Sequence, residues 1–157
     1  MSRIVNAVLI SGCLIASAHA ADDAAAPMPA APAAAMSPSV VHRIAPCEGG
    51  PHCVSTESQE EGRHVAPIRY SGSDVPAQEA MLRILGGIGS AKVVEVSPGY
   101  IHAEFHSTIM RFVDDVEMVF GNHQIKLRSS SRIGYYDFGV NRDRVEALRK
   151  SFNDIQP

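Results

Sequence analysis

The sequence predicts an α+β fold: an antiparallel sheet of four or five strands, built from two hairpins, with two helices packed on one face. Two pairs of alternating apolar segments, each flanking a short turn sequence, predict the sheet. An apolar stripe at helical spacing before and after them predicts the helices. Of the 157 residues, 45% are hydrophobic and 20% charged, which is typical of an ordinary globular protein.

The first predicted hairpin joins residues 91–97 to residues 100–107 through Pro98-Gly99. A two-residue turn at that position opposes Val94 with Ala103 on the apolar face. Pro-Gly suits a type II turn better than the primed turns of hairpins, so a register slip of one residue remains open.

The second predicted hairpin joins residues 112–120 to residues 123–131 through Gly121-Asn122, which fits a type II′ turn. This register opposes apolar with apolar side chains on one face, and acidic with basic side chains on the other. In particular, it places Asp115 opposite Arg128.

One helix is predicted on each side of the hairpins. The first begins near Asp74 and ends at Gly86-Gly87, and the second begins with Asn141 as its N-cap. Each helix carries an apolar stripe that would pack on the sheet. The stripe residues are Ala80, Met81, Ile84 and Leu85 in the first helix, and Val145, Leu148 and Phe152 in the second.

Residues 1–20 predict a secretory signal peptide. A basic residue precedes an apolar run, and Ala18-His19-Ala20 forms a cleavage site, so the mature chain would begin at Ala21 in the periplasm or another exported location. The run is shorter than the ~20 residues that cross a bilayer, so no transmembrane span is expected after cleavage. The alternative is a lipoprotein, because the residues around Cys13 resemble a lipobox.

Residues 21–43 predict a disordered tether, because they are rich in Ala and Pro and lack the large apolar side chains that offset ordering entropy. Residues 44–155 would then form a single domain. The formal net charge is −3 and no basic stripe occurs, so nucleic acid is not an expected partner. We expect no cofactor. The expected partner is a small ligand or another envelope protein.

Two cysteines, Cys47 and Cys53, remain after signal cleavage, and an exported protein meets an oxidising compartment. A disulfide between them is the leading prediction. Two alternatives are a nucleophilic Cys53 beside His52 and a metal site that uses both thiolates. Neither alternative has a CxxC spacing or a protease signature.

His102, Glu104 and His106 alternate along one predicted strand, so they project from the same face of the sheet. All three are residue types that bind zinc. The outer two are about 13 Å apart along the strand, so one ion would need a further ligand from another strand, such as Asp115. The plainer interpretation is a solvated polar face, in which His102 lies beside Glu95.

Asp114 is predicted to point toward the apolar side of its strand. A buried carboxylate needs a partner, and the candidates are Arg132, Arg142 and Arg144. A structural ion pair that joins the sheet to the last helix is favoured over a general acid/base or a recognition carboxylate.

A polar, arginine-containing segment leads into the last helix and predicts an anion site. Helix amides and the helix dipole favour negative charge there, and arginines would add to this attraction. The candidate ligand-binding residues are Arg128, Arg132, Asp137, Asn141 and Arg142, with Asp114 and Asp115 as nearby carboxylates. The alternative is that Asp137 and Asn141 only cap and turn the chain.

Several motifs occur in an order that resembles a known family. They are Cys53-Val-Ser-Thr, Tyr100-Ile-His-Ala-Glu, Phe112-Val-Asp-Asp-Val-Glu, and the run from Arg128 to Glu146. Together they resemble the family called domain of unknown function 1499, over residues 47–152. The resemblance implies an envelope or plastid protein and carries no activity. His106 and His123 depart from the family pattern, so a role for either would be particular to this chain.

No motif in the sequence identifies a reaction. The leading hypothesis is an exported, non-enzymatic binding or accessory domain for a small anionic ligand, a lipid headgroup or a partner protein. It depends on the arginine-rich segment and on the lack of a nucleophile–base constellation in the sequence. The rival hypothesis is a metal-dependent hydrolase that uses the face carrying His102 and Glu104.

We predict that the mature protein begins at Ala21 and contains a disulfide between Cys47 and Cys53. Intact-mass measurement on protein from the envelope fraction checks both parts. A lipid adduct on Cys13 would contradict the cleavage site. Two thiols that alkylate without prior reduction would contradict the disulfide.

Overall fold

The computed structural model describes residues 41–107, 112–134 and 137–155. The described residues do not include the expected signal peptide, residues 1–20 with Cys13, or residues 21–40 of the expected tether. The elements in chain order are β1 (Cys53–Ser55), β2 (Ile68–Arg69), α1 (Asp74–Gly86), β3 (Ala91–Ser97), β4 (Tyr100–His106), β5 (Val113–Gly121), β6 (Gln124–Ser131) and α2 (Val140–Ile155).

The α+β prediction is confirmed, with six strands in place of four or five. The strands form one antiparallel sheet in the order β1-β6-β5-β4-β3, and β2 pairs with β6 beside β1. A short strand over residues 64–70 is the fifth strand that the sequence predicts, and β2 lies within it. The sixth strand, β1, has three residues, which is too few for apolar alternation to predict. Within the described residues, β3 and the pair β1/β2 form the two edges of the sheet.

One face of the sheet packs against both helices and forms the core. Alternate side chains of β4, β5 and β6 point to that face because successive residues of a strand project to opposite sides. They meet the apolar stripes of α1 and α2. Fully buried members are Met81, Leu85, Ile101, Val116, Met118, Ile125, Leu127, Val145, Leu148 and Phe152.

The turn of the second hairpin lies one residue later than predicted. Its central residues are Asn122 and His123, both in the left-handed region with φ of 52° and 58°, as a type I′ turn requires. Arg128 consequently opposes Glu117, and Asp115 opposes Ser130. The predicted Asp115–Arg128 pair is therefore wrong.

That register differs from the prediction by two residues, so every side chain of β6 keeps its predicted face. The shift also brings Phe120 opposite Ile125 on the buried side. Packing of these two large apolar side chains favours the observed register over the predicted one.

The first hairpin follows its prediction only near the turn. Val96 opposes Ile101, but the register shifts at Val94, and Ala103 opposes Val93. The predicted pair of Val94 with Ala103 is therefore wrong. A bulge at this position keeps Val93 packed against the core and leaves Val94 exposed at the edge strand.

The predicted disulfide is present between Cys47 and Cys53, whose Cα atoms are 5.7 Å apart. It holds residues 41–47 against the sheet face opposite the helices. On that face the ring of His42 stacks on Tyr100 at 3.7 Å, and Ser55 Oγ donates to the carbonyl of Ala45 at 2.8 Å. Both cysteines are consumed by this bond, which excludes the nucleophilic and metal-binding alternatives for their thiols.

Within the part of the chain that the structure describes, no helix has the length and apolar character needed to cross a membrane.

We predict that Leu148→Ala lowers the free energy of unfolding by about 2–5 kcal/mol, because it opens a cavity between α2 and the sheet. The exposed Val75→Ala is the matched control and should change it by less than about 0.5 kcal/mol. Urea unfolding of the disulfide-bonded mature protein measures both. Equal effects of the two substitutions would show that α2 does not pack as described.

Candidate functional site

The sequence-predicted site residues lie on opposite faces of the sheet. The sheet face that points away from the helices, called here the polar face, carries His102, Glu104, His106, Asp115, Arg128 and Arg132. The helix side carries Asp114, Asp137 and Asn141. Arg142 lies in the first turn of α2. These residues therefore do not form one site, although His106 at the end of β4 also lines a cleft that contains Asp114.

Arg132 is the centre of the cluster on the polar face. Its Nε and Nη2 donate to the two carboxylate oxygens of Asp115, both at 2.8 Å, and Nη2 also donates to Glu104 Oε1 at 2.6 Å. His102 Nε2 lies 2.8 Å from Asp115 Oδ1, and His106 Nε2 lies 3.2 Å from Glu104 Oε2. The guanidinium thus bridges two strands and pairs with a carboxylate on each.

These contacts shift the titration of the acidic residues. Burial acts to raise the pKa of Asp115, but hydrogen bonds from Arg132 and His102 outweigh it and lower that pKa. The hydrogen bond from Arg132 is also the main cause that lowers the pKa of Glu104. Both groups are therefore held as carboxylates at neutral pH.

The same contacts occupy the position that a metal ion would require. A zinc ion bound by His102 and Glu104 would need Asp115 as a third ligand, and the guanidinium of Arg132 lies between the two carboxylates. Within the ranges that the structure describes, no group of three or more His, Cys, Asp or Glu side chains is placed to hold a metal ion.

The arginines of the expected anion site each have partners within the protein. Arg128 pairs with Glu117 at 3.2 Å, and Arg132 pairs with Asp115 and Glu104. Arg142 Nη2 donates to the carbonyls of Gly62 and His64, both at 3.0 Å. Each guanidinium therefore already has an internal acceptor.

Asp137 supplies the cap that the sequence analysis assigned to Asn141. Its carboxylate accepts hydrogen bonds from the amides of Gly139 and Asn141 at 3.0 and 3.1 Å. Burial acts to raise the pKa of Asp137, but the hydrogen bonds from the side chain and amide of Asn141 and from the Gly139 amide lower it overall. The anion at this helix N-terminus is therefore a carboxylate of the chain itself.

Asn141 lies in the first turn of α2 and is completely buried. Its Nδ2, which has two hydrogens, lies within hydrogen-bond distance of three acceptors: the carbonyl of His52 and Ser131 Oγ, both at 3.0 Å, and Asp137 Oδ2 at 2.8 Å. Its Oδ1 accepts from Ser129 Oγ at 2.5 Å and from Arg144 Nη1 at 2.7 Å. One amide therefore ties α2 to β6 and to the loop closed by the disulfide.

Asp114 forms a buried ion pair with Arg144, the third of its predicted candidates. Arg144 Nη2 donates to Asp114 Oδ2 at 2.5 Å, and its guanidinium carbon lies 4.7 Å from the ring centre of Phe105. Arg144 Nη1 also donates to Ser129 Oγ at 3.1 Å. Since Arg144 follows Asn141 by three residues on a helix, its position on the same side as Asn141 could have been predicted from spacing.

The ion pair lies in a cleft of about 720 Å³. The cleft is bounded by α2, the C-terminal end of β4, the N-terminal end of β5 and the connection from α1 to β3. This cleft, called here the α2 cleft, combines apolar and polar side chains. The apolar ones are Ile88, Phe105, Val140, Ala147 and Leu148; the polar ones are Ser90, His106, Ser107, Asp114, Asp143, Arg144 and Ser151. Sequence reasoning missed the cleft because these residues come from four separate segments and form no motif.

We predict that Asn141→Ala lowers the free energy of unfolding by about 2–4 kcal/mol, because it leaves several buried donors and acceptors without partners. Asn153→Ala, at an exposed position of the same helix, should have an effect below about 0.5 kcal/mol. Chemical unfolding of the two variants gives the comparison. If Asn141→Ala lowers the free energy of unfolding by less than about 1 kcal/mol, the buried hydrogen bonds of this amide do not hold α2 as described.

We predict that Asp115→Asn is less stable than the wild type at neutral pH by about 1–3 kcal/mol, because charged hydrogen bonds to Arg132 and His102 are lost. The pKa of Asp115 is depressed in the folded state, so its stabilisation is complete above the unfolded value of 3.8 and is lost as pH falls through the folded value. The difference between the proteins should therefore shrink below about pH 4. Unfolding curves from pH 2.5 to 7 measure this difference in the free energy of unfolding. A difference that stays constant with pH would contradict the lowered pKa of Asp115.

Comparison with known proteins agrees with the resemblance seen in the motifs. A family model described as protein of unknown function DUF1499 matches residues 43–152, which include every strand and helix up to Phe152 of α2. A search of curated proteins gave no match. Since the family model covers more than half of the chain, the protein belongs to the DUF1499 family.

Proposed function

We propose that this protein is an exported, non-enzymatic binding domain and that the α2 cleft is its ligand site. The observation that supports this proposal is the cleft itself. Its volume of about 720 Å³ is within the range of small-molecule sites, and its walls combine an apolar surface with a few polar groups. The buried polar network below it fixes the position of α2, so the site is formed before a ligand arrives.

Export is supported by the N-terminal sequence and by the disulfide. Residues 1–20 have the charged start, apolar run and Ala18-His19-Ala20 site of a signal peptide. A disulfide between Cys47 and Cys53 is typical of proteins in oxidising compartments.

A binding role is favoured over nucleophilic catalysis because Ser97, His42 and Glu95, which lie near one another among the described residues, are not arranged as a catalytic triad. Ser97 Oγ lies 3.1 Å from His42 Nε2, and Glu95 Oε1 lies 3.8 Å from the same ring nitrogen. In a catalytic triad the nucleophile and the carboxylate contact different nitrogens of the histidine. Stacking on Tyr100 gives His42 a structural role instead.

The α2 cleft is favoured over the arginine-rich segment as the ligand site. An anion at Arg128, Arg132 or Arg142 would have to displace a carboxylate or a carbonyl of the protein. A ligand in the α2 cleft would displace none of these partners. For the same reason the hydrolase hypothesis loses its site, since Arg132 already hydrogen-bonds to both Asp115 and Glu104 on the polar face.

We predict that the neutral fluorescent probe N-phenyl-1-naphthylamine binds saturably to the mature protein, because it matches the apolar wall of the cleft. Ala147→Phe should weaken this binding at least fivefold, since Ala147 is exposed and lines the cleft. Fluorescence titration gives the dissociation constants.

The matched control is Asn153→Phe, which adds the same ring at an exposed position of α2 that does not line the cleft. It should bind the probe like the wild type. Failure of the probe to bind, or equal affinity in all three proteins, would contradict the assignment of the cleft as the ligand site.

A further inference from the structure

We infer that the α2 cleft selects ligands that carry a cationic head on an apolar body. This inference rests on the proposed function of the cleft and adds the ligand class. The cleft contains two carboxylates, Asp114 and Asp143, and one guanidinium, Arg144. The formal charge of its walls is therefore negative when His106 is neutral.

The positive charge of Arg144 is already compensated within the protein. Its Nη2 donates to Asp114, its Nη1 donates to Ser129 and Asn141, and its guanidinium lies over the Phe105 ring. An anionic ligand would have to compete with Asp114 for these donors in a buried position. Separating such a pair is costly because it leaves an uncompensated buried charge.

Asp143 has the opposite character. It is exposed, and among the residues that the structure describes no Lys, Arg or His side chain forms an ion pair with it. Its amide donates to the carbonyl of Gly139 as part of the first turn of α2. The carboxylate therefore offers an uncompensated negative charge at the mouth of the cleft, where an ammonium group could remain partly hydrated.

Apolar side chains continue from that carboxylate into the cleft. Val140 is about two turns before Leu148 on the cleft side of α2, and Phe105 and Ile88 face them from the sheet and the α1–β3 connection. An alkyl or aromatic body would bury apolar area against these groups, which is the main favourable contribution to binding. The carboxylate would then add selectivity for the head rather than most of the affinity.

A separate explanation of Asp143 is that its charge only stabilises the helix dipole, since acidic residues in a first turn do so. The two explanations differ in what a substitution changes. A dipole role predicts a lower melting temperature for Asp143→Asn with ligand preference unchanged. A ligand role predicts a loss of preference between charged and neutral heads.

Three probes with the same dodecyl chain test the inference: dodecyltrimethylammonium, dodecyl maltoside and dodecyl sulfate, each used below its micelle concentration. Calorimetric titration of the mature protein should give the tightest binding for the ammonium, three- to tenfold tighter than for the maltoside. The sulfate should bind most weakly. Added salt should reduce the preference for the ammonium, because exposed charges are screened.

Asp143→Asn should abolish the preference for the ammonium over the maltoside and leave affinity for the maltoside unchanged. Asp154→Asn is the matched control, since it removes an exposed carboxylate of α2 that lies outside the cleft. It should keep the wild-type order of the three probes.

Tightest binding of dodecyl sulfate, or an unchanged preference in Asp143→Asn, would overturn the inferred ligand class while leaving the cleft as the site. Failure of Ala147→Phe to weaken any of the three probes would instead overturn the proposed function. The two failures are therefore distinguished within one set of titrations.

Discussion

The buried polar contacts of Asn141 and Arg144 on α2 with Ser129 and Asp114 of the sheet are the constraint on which the arrangement of α2 depends. Apolar packing brings the helix to the sheet, but packing alone allows sliding along an apolar surface. The amide of Asn141 and the ion pair of Arg144 with Asp114 fix the helix at one position, since any displacement would leave buried polar groups without partners. The disulfide loop joins this network through the carbonyl of His52.

Fixing α2 in this way creates the cleft and determines its charge. The cleft lies between α2, Phe105 of the sheet and the α1–β3 connection that carries Ile88 and Ser90, and Asp143 lines it from the helix. Because Arg144 is committed to Asp114, the remaining charge at the mouth is negative. On the other side of the sheet, the polar face pairs Arg132 with Asp115 and Glu104.

Much of the fold could be predicted from the sequence, because alternation and turn residues determine which side chains face the core. The second hairpin shows the limit: its turn is misplaced by one residue and its register by two, yet every face is right since strands repeat every two residues. Asn141 was expected at a cap because asparagine is common there. Its burial depends on Ser129 and His52, which are distant in sequence. The cleft, likewise, combines segments that only the folded chain brings together.

A double-mutant cycle between Asp114→Asn and Arg144→Met tests most directly whether this polar network positions α2. Both substitutions retain much of the side-chain volume, so the cycle isolates the interaction of the two charged groups from packing. A coupling free energy of about 1–3 kcal/mol from urea unfolding is the expected result, as for residues in one buried network. Additive effects, with a coupling below about 0.3 kcal/mol, would contradict the view that the ion pair holds the helix in place.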